Sequence, residues 1–159
     1  MEKIQQLALH FRKIMDDAWG KRKFSQITPF YMFPNECCDL TCDLLAYYLS
    51  GYGIRTYPVN GTCRFDDSWH HVWLVTDDKQ KIVIDITGDQ FIGKIEELKD
   101  VESVYVGTEG NVQRVFCRNQ KREHITNFTD PYKYKEFGGH SDLRQRTLIK
   151  IYDIISPYL

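Results

Sequence analysis

Apolar side chains recur at the spacing of an amphipathic helix in three stretches of the chain. The first is residues 2–19, the second has apolar residues from Leu40 to Leu49, and the third is residues 142–155. Asn35 precedes the second stretch as a candidate N-cap, and Gly51 and Gly53 follow its last apolar residue. The pattern therefore predicts two helices early in the chain, the second starting near residues 35–38, and one helix at the end.

Between these helices the pattern changes to shorter runs in which apolar and polar residues alternate, as they do in half-buried strands. The predicted strands are residues 54–59, 69–76, 81–87, 103–106 and 112–117. The turn at residues 77–80 joins two of them into an antiparallel hairpin, and residues 95–98 are predicted as a helical turn. Helices followed by a meandering sheet and a last helix indicate one α+β domain over residues 1–159, with N-terminal helices packed on an antiparallel sheet and a C-terminal helix.

The composition is that of a globular protein. The chain has 159 residues, a net charge of −1 and 42% hydrophobic residues. It shows no apolar run of the length that a membrane helix needs and no signal peptide, so we expect a cytoplasmic protein, although secretion as an effector stays open. No nucleotide-binding loop or nucleic-acid motif is present, and we expect no cofactor, no nucleic acid and no membrane partner. The pattern does not indicate an oligomeric state.

The five cysteines are an odd number, and three of them lie within residues 37–42. This arrangement is not that of a disulfide framework, so we expect free thiols in a reducing compartment. Residues 112–150 carry a net positive charge, which we interpret as an ordinary solvated surface because they contain no dense run of lysine and arginine.

Three side chains of complementary chemistry follow one another along the chain. Cys38 lies in the first turn of a predicted helix, where the positive end of the helix dipole and the free backbone amides favour a thiolate and a developing oxyanion. His71 lies on a predicted strand and could take the thiol proton. Asp85 interrupts an apolar strand, and a buried carboxylate needs a partner. The three residues predict a nucleophile, a base and an orienting acid.

The predicted hairpin suggests which residues face each other. With its turn centred near residue 78, residues whose numbers sum to about 156 are opposite, and His71 then faces Asp85. Side chains alternate along a strand, so His70 points to the other face and is interpreted as a surface residue. This register lets Asp85 orient His71 toward the thiol.

These residues resemble the transglutaminase-like branch of the papain-like cysteine enzymes. That branch has a cysteine at the start of a helix, a glycine and an apolar residue that end it, and His-x-Trp and Asp-x-Thr on successive strands. The matching residues here are Cys38, Gly53-Ile54, His71-Val72-Trp73 and Asp85-Ile86-Thr87. Phe33-Pro34 and Asp89-Gln90-Phe91 also resemble a group of small bacterial and phage proteins. In this chain Cys37 and Asp39 flank Cys38, where the family often has glycine or another small residue.

The resemblance implies a papain-like core and amide acyl transfer through a thioester. Hydrolysis of a protein or peptide amide, by a peptidase, amidase or deamidase, is the expected outcome. A transglutaminase or acyltransferase with an amine acceptor is the alternative. The amide of Cys38 would be one oxyanion donor, while Gln26 lies further upstream than the family's glutamine. Trp69, Trp73 and Gln90 are candidate substrate contacts.

Other interpretations of the same residues stay open. Cys37 could be the nucleophile, although the helix length from Cys38 to Gly53 favours Cys38. A metal could be bound by Cys37, Cys38 and Cys42 with a histidine, but adjacent cysteines do not easily reach one tetrahedral ion, and we expect no metal site. A binding module that keeps the fold without catalysis is a further alternative. The remaining cysteines and histidines are interpreted as packing or surface residues: Cys63, Cys117, His10, His124 and His140.

Overall fold

The chain forms helices packed against a five-stranded antiparallel sheet in a computed structural model that describes residues 1–123 and 143–159. The helices are α1 (Glu2–Gly20), α2 (Cys38–Ser50), α3 (Asn111–Val115) and α4 (Leu143–Ile155). The strands are β1 (Thr56–Thr62), β2 (His70–Thr76), β3 (Val83–Asp85), β4 (Tyr105–Gly107) and β5 (Arg118–Arg122), in the sheet order β4-β3-β2-β1-β5. Short 3-10 helices span Phe30–Met32, Gly88–Phe91, Glu96–Leu98 and Ser156–Tyr158. The predicted α+β class is confirmed.

Alternate residues of β2 belong to two different hydrophobic clusters of the described residues. Val72 and Leu74 pack with apolar side chains of α1, α2 and α4. Trp73 and Val75 pack with the 3-10 segments and α3, through residues such as Phe116. Because side chains alternate across a sheet, one face is covered by long helices and the other by short, irregular elements. None of the helices in residues 1–123 and 143–159 is long and apolar enough to cross a membrane.

Two predicted elements are wrong. Residues 112–117 are not a strand, because Asn111–Val115 forms α3 and its apolar residues Val112, Val115 and Phe116 have the i, i+3, i+4 spacing of a helix. Asn35 does not cap α2, since the N-cap is Cys37 and the side-chain oxygen of Asn35 accepts a hydrogen bond from Lys94 instead.

The remaining elements differ from the prediction mainly at their ends. The predicted strand at residues 54–59 begins at Thr56 and continues to Thr62, so it includes Gly61. The helical turn predicted at residues 95–98 is the 3-10 helix Glu96–Leu98. The helix predicted from residue 142 is described from Leu143. His124 and His140 lie outside the described residues.

The register between β2 and β3 is also not the predicted one. Leu74 pairs with Ile84 and Val75 with Val83, so paired numbers sum to 158 and not to 156. Continuing this register places Asp85 opposite Trp73. The error is two residues, an even number, so His71 and Asp85 still lie on the same face, as diagonal neighbours.

Candidate active site

Cys38 is the first residue of α2, and its side chain is half-buried. The first amides of a helix have no partner within the helix, so they point toward this end unpaired. The neighbouring Cys37 is buried, donates its thiol proton to the carbonyl of Pro34 and accepts from Thr41 Oγ1. Burial raises the pKa of Cys37 to about 12. Cys37 is therefore a protonated packing residue at neutral pH, and Cys38 is the accessible thiol of the pair.

His71 and Asp85 form a buried pair. Nε2 of His71 lies 2.9 Å from Oδ2 of Asp85, and the two side chains are 0% and 1% exposed. The backbone amide of Thr87 donates to Oδ1 of the same carboxylate at 3.1 Å. The carboxylate thus has a donor on each oxygen, as an ionised group in a protein interior needs.

The charges of this pair depend on each other. Burial by itself lowers the pKa of His71, but the charge and hydrogen bond of Asp85, followed by those of Cys38, raise it to about 10. Burial by itself raises the pKa of Asp85, but His71 and the hydrogen bonds to the carboxylate lower it overall. At neutral pH the arrangement therefore favours an imidazolium between a carboxylate and the Cys38 thiol.

The second ring nitrogen of His71 is directed away from Asp85. Since Nε2 binds the carboxylate, Nδ1 is the nitrogen left for the hydrogen bond with Cys38. Gln90 also approaches it, with Nε2 of its amide 3.4 Å from Nδ1 and 2.9 Å from the carbonyl of Thr87. The side chain of Gln90 is therefore fixed at the junction of the thiol and the imidazole.

Aromatic rings enclose the imidazole of His71. The ring centroids of Phe91, Phe116 and Trp73 lie 5.2, 5.5 and 5.9 Å from that of His71. Trp69 stacks on Phe91 at 6.3 Å and is only partly buried. Of the three predicted substrate contacts, Trp73 is thus a core residue and Gln90 is buried beside His71, whereas Trp69 reaches the surface. Their contact with a substrate stays a prediction.

The other residues considered from the sequence lie apart from this group. His70 is exposed, with Nδ1 3.2 Å from Thr62 Oγ1. Cys42 is buried and donates to the carbonyl of Val72, and burial raises its pKa. Cys63 is buried, while Cys117 is exposed. Gln26 is exposed as well. Within residues 1–123 and 143–159, no group of three or more histidine, cysteine or acidic side chains is arranged to hold a metal ion.

Gln113 is part of the site although the sequence analysis did not single it out. Its Nε2 donates to Oδ2 of Asp85 at 3.0 Å, so that oxygen accepts from both Gln113 and His71. The sequence analysis did not anticipate this contact because it predicted a strand at residues 112–117. The helical spacing of Val112, Val115 and Phe116 was the available signal, since it implies a helix with Gln113 in its first turn.

Arg12 is a second missed residue, and it fixes the loop that follows Asp85. Its guanidinium forms a fork with both carboxylate oxygens of Asp89, at 2.9 and 2.7 Å, and donates to the carbonyl of Ile86 at 2.6 Å. Arg12 is buried on the same helical stripe as Ala8 and Met15. A charged residue on an apolar stripe was the available signal, because it implies a buried partner.

Arg144 of α4 binds the beginning of α2. It donates to Asp39 at 2.7 Å and to Asp43 at 2.6 Å. Asp39 directly follows Cys38, so this contact holds the C-terminal helix against the turn that carries the thiol. Asp39 and Asp43 of α2 thus both bind Arg144 near the start of the helix that carries the candidate nucleophile.

The fold and the site together define a class of protein. It is an α+β protein in which a thiol at the start of a helix interacts with a buried imidazole, and the imidazole interacts with a buried carboxylate. No protein-family model, curated protein or solved structure matches the chain. The function that these groups support is therefore inferred from their geometry and chemistry.

Proposed function

We propose that the protein is a cysteine-dependent enzyme that cleaves an amide bond through a thioester intermediate, with Cys38 as the nucleophile. The observation that carries this proposal is the position of His71, which binds Asp85 at 2.9 Å through one nitrogen and interacts with Cys38 on its other side. A base held by a third group beside a nucleophile is the arrangement that activates a thiol.

The electrostatics of the site support an ionised nucleophile. The pKa of about 10 for His71 keeps the imidazole protonated at neutral pH, and an adjacent imidazolium stabilises a thiolate. The N-terminal end of α2 adds the positive end of the helix dipole. A Cys38–His71 ion pair is the expected resting state.

The chemistry can then be written step by step. The thiolate of Cys38 attacks the carbonyl carbon of the substrate amide. The backbone N–H of Cys38 donates a hydrogen bond to the resulting oxyanion. His71 gives its proton to the leaving nitrogen as the carbon–nitrogen bond breaks, which leaves a thioester and a neutral imidazole. A water molecule gives a proton to His71 and attacks the thioester. Release of the acid restores the thiolate and the imidazolium.

A papain-like core of the transglutaminase-like type is the finer fold that we propose. The helix that begins with Cys38 packs against β1 and β2, and His71 and Asp85 follow on the antiparallel strands β2 and β3. This order and packing agree with the resemblance seen in the sequence. The proposed substrate is a protein or peptide amide, with water as the acceptor. Supplying a primary amine during turnover, and looking for its incorporation, distinguishes the transglutaminase alternative.

The test is alkylation of the protein by iodoacetamide between pH 5 and 9, with the labelled cysteine identified by mass spectrometry. We expect Cys38 at pH 6 to react at least about ten times faster than the exposed Cys117, because Cys38 has an imidazolium partner. His71→Ala should abolish this advantage. His70→Ala is the matched control, since it removes the neighbouring exposed histidine and should leave the rate unchanged.

Two further variants identify the thiol. Cys37→Ala should keep the fast labelling, and Cys38→Ala should lose it. Circular dichroism and thermal unfolding check that each variant is folded. Equal labelling of Cys38 in wild-type protein and folded His71→Ala would contradict the ion pair. Undiminished amide cleavage by Cys38→Ala would contradict the proposed nucleophile.

A further inference from the structure

Gln113 links helix α3 to the carboxylate of the proposed triad. Its side chain is buried, with 2% exposure. The amide nitrogen donates to Oδ2 of Asp85 at 3.0 Å, and the amide oxygen accepts from the backbone N–H of Gly110 at 3.2 Å. A carboxylate only accepts and a backbone N–H only donates, so these two partners fix the orientation of the amide.

A cavity of about 450 Å³ lies behind this contact. Its lining includes both Asp85 and Gln113, and acidic residues of the loops around it: Asp100, Glu102 and Glu109. Asp85 itself is only 2% exposed. Gln113 therefore donates to a carboxylate that lies at the wall of this cavity and is otherwise buried beside His71.

The geometry points to Gln113 as a positioning residue, whose amide donates to Asp85 and holds the carboxylate against His71. This inference rests on the proposed function, because it concerns the same triad. Without the amide, Asp85 loses one of the donors that fix its position. A carboxylate that is held less firmly stabilises the imidazolium of His71 less, and Cys38 would then react more slowly at low pH.

Other charged and titratable groups also face this carboxylate. On the protein side they are His71 of β2 and Cys42 of α2. On the cavity side, Arg114 and Tyr105 accompany the three acidic residues named above. None of the cavity groups changes in a Gln113 variant. A change in the pH profile between wild-type protein and the variant therefore reports the loss of the amide.

The test compares the pH profiles of Cys38 alkylation in wild-type protein, Gln113→Met and Gln113→Glu. Methionine has the length of glutamine but no donor. We expect its labelling to be about tenfold slower than that of wild type at pH 6 and equal to it at pH 9, which is above the ordinary pKa of a thiol. The glutamate should share one proton with Asp85 and keep a hydrogen bond, so Gln113→Glu should stay within about threefold of wild type at pH 6.

Gln120→Met is the matched control. The Gln120 amide donates to the backbone carbonyls of Gln113 and Phe116 and does not contact Asp85. A wild-type profile for folded Gln113→Met overturns the inference. So does a rate that is lowered equally at every pH, which would indicate general damage to the site. If Cys38 of the wild-type protein is itself unreactive at pH 6, the proposed function fails. If Cys38 is reactive in wild-type protein and equally reactive in the Gln113 variants, the positioning role fails and the proposed function stands.

Discussion

The two faces of the sheet differ in how they are built. One face packs against long helices, with Val72, Leu74 and Ile84 meeting α1, α2 and α4. The other face is covered by 3-10 turns and the five-residue α3, which bring in aromatic residues such as Phe91 and Phe116. The regular face supplies the helix that carries the thiol, and the irregular face supplies the groups that surround the imidazole. The site therefore lies where two differently constructed layers meet.

The two layers therefore stabilise the protein and its site in different ways. The helical layer buries a continuous set of apolar side chains, in which volume-conserving apolar substitutions cost little. The irregular layer depends on single contacts, such as those of Gln113 with Asp85 and of Arg12 with Asp89. Substitutions that separate the two layers, or that test one of them alone, should show how much each contributes.

Arg12→Met should have the largest effect on stability, because Arg12 connects α1 to the loop on the irregular side. The change leaves the mostly buried carboxylate of Asp89 without its partner and also removes the donor to Ile86, so we expect a loss of about 3 kcal/mol. Urea unfolding of the variant measures it. Lys13→Met is the matched control on the next residue of the helix: its pair with Asp17 is exposed, so the variant should unfold at nearly the wild-type urea concentration. Equal losses in the two variants would refute a structural role of the buried pair.

Gly61→Ala should have the next largest effect, and it tests the irregular layer alone. A Cβ at this position of β1 would overlap the carbonyl oxygen of Phe116 and come within 2.8 Å of the Trp73 ring. The backbone must shift to relieve the overlap, and we expect a loss of about 2 kcal/mol, measured by thermal or urea unfolding. Gly20→Ala is the comparison, because a Cβ there meets nothing within 4 Å. A Gly61→Ala protein as stable as Gly20→Ala would show that this contact is not tight.

The third expected effect is a dependence of stability on pH that originates at His71, and its change per pH unit is smaller than either loss above. The folded protein holds the His71 proton more tightly than the unfolded chain, because its pKa is raised from 6.5 to about 10. The resulting stabilisation is complete below pH 6.5 and is lost as the pH rises toward 10, by at most about 1.4 kcal/mol per pH unit. Urea midpoints at pH 6.5, 7.5 and 8.5 measure this slope in Cys38→Ala, because in the proposed ion pair the Cys38 thiolate takes up a proton on unfolding and offsets the proton that His71 releases. The slope should be smaller in the double variant Cys38→Ala/His71→Gln.

His70→Gln serves as the control for this titration, because His70 is exposed on the other face of the same strand. Added to Cys38→Ala, it should leave the slope unchanged. The range ends at pH 8.5 because the thiols of the unfolded chain begin to ionise there, and ionisation of Cys37 and Cys42 on unfolding would add a second slope. An identical slope in Cys38→Ala and Cys38→Ala/His71→Gln would exclude His71 as its source.

The parts of the fold that were predictable are those with a repeating pattern. The apolar stripe of α1 and the alternation along β2 both follow from local geometry, and both elements are found close to their predicted ends. The position of Cys38 at the start of α2 was predictable for the same reason. The register of β2 with β3 was predicted two residues away from the observed one, since turn length alone does not determine pairing. The even shift kept His71 and Asp85 on one face.

The sequence by itself determined the chemistry available to this protein: a thiol at a helix start, an imidazole on one strand and a carboxylate on the next. The tertiary structure decided which atoms meet. It placed Asp85 diagonally from His71, brought Gln113 from a helix predicted as a strand, and buried Cys37 while leaving Cys38 accessible. The physical reason is that local spacing specifies the face on which a side chain lies, whereas contacts between distant segments depend on how whole layers pack.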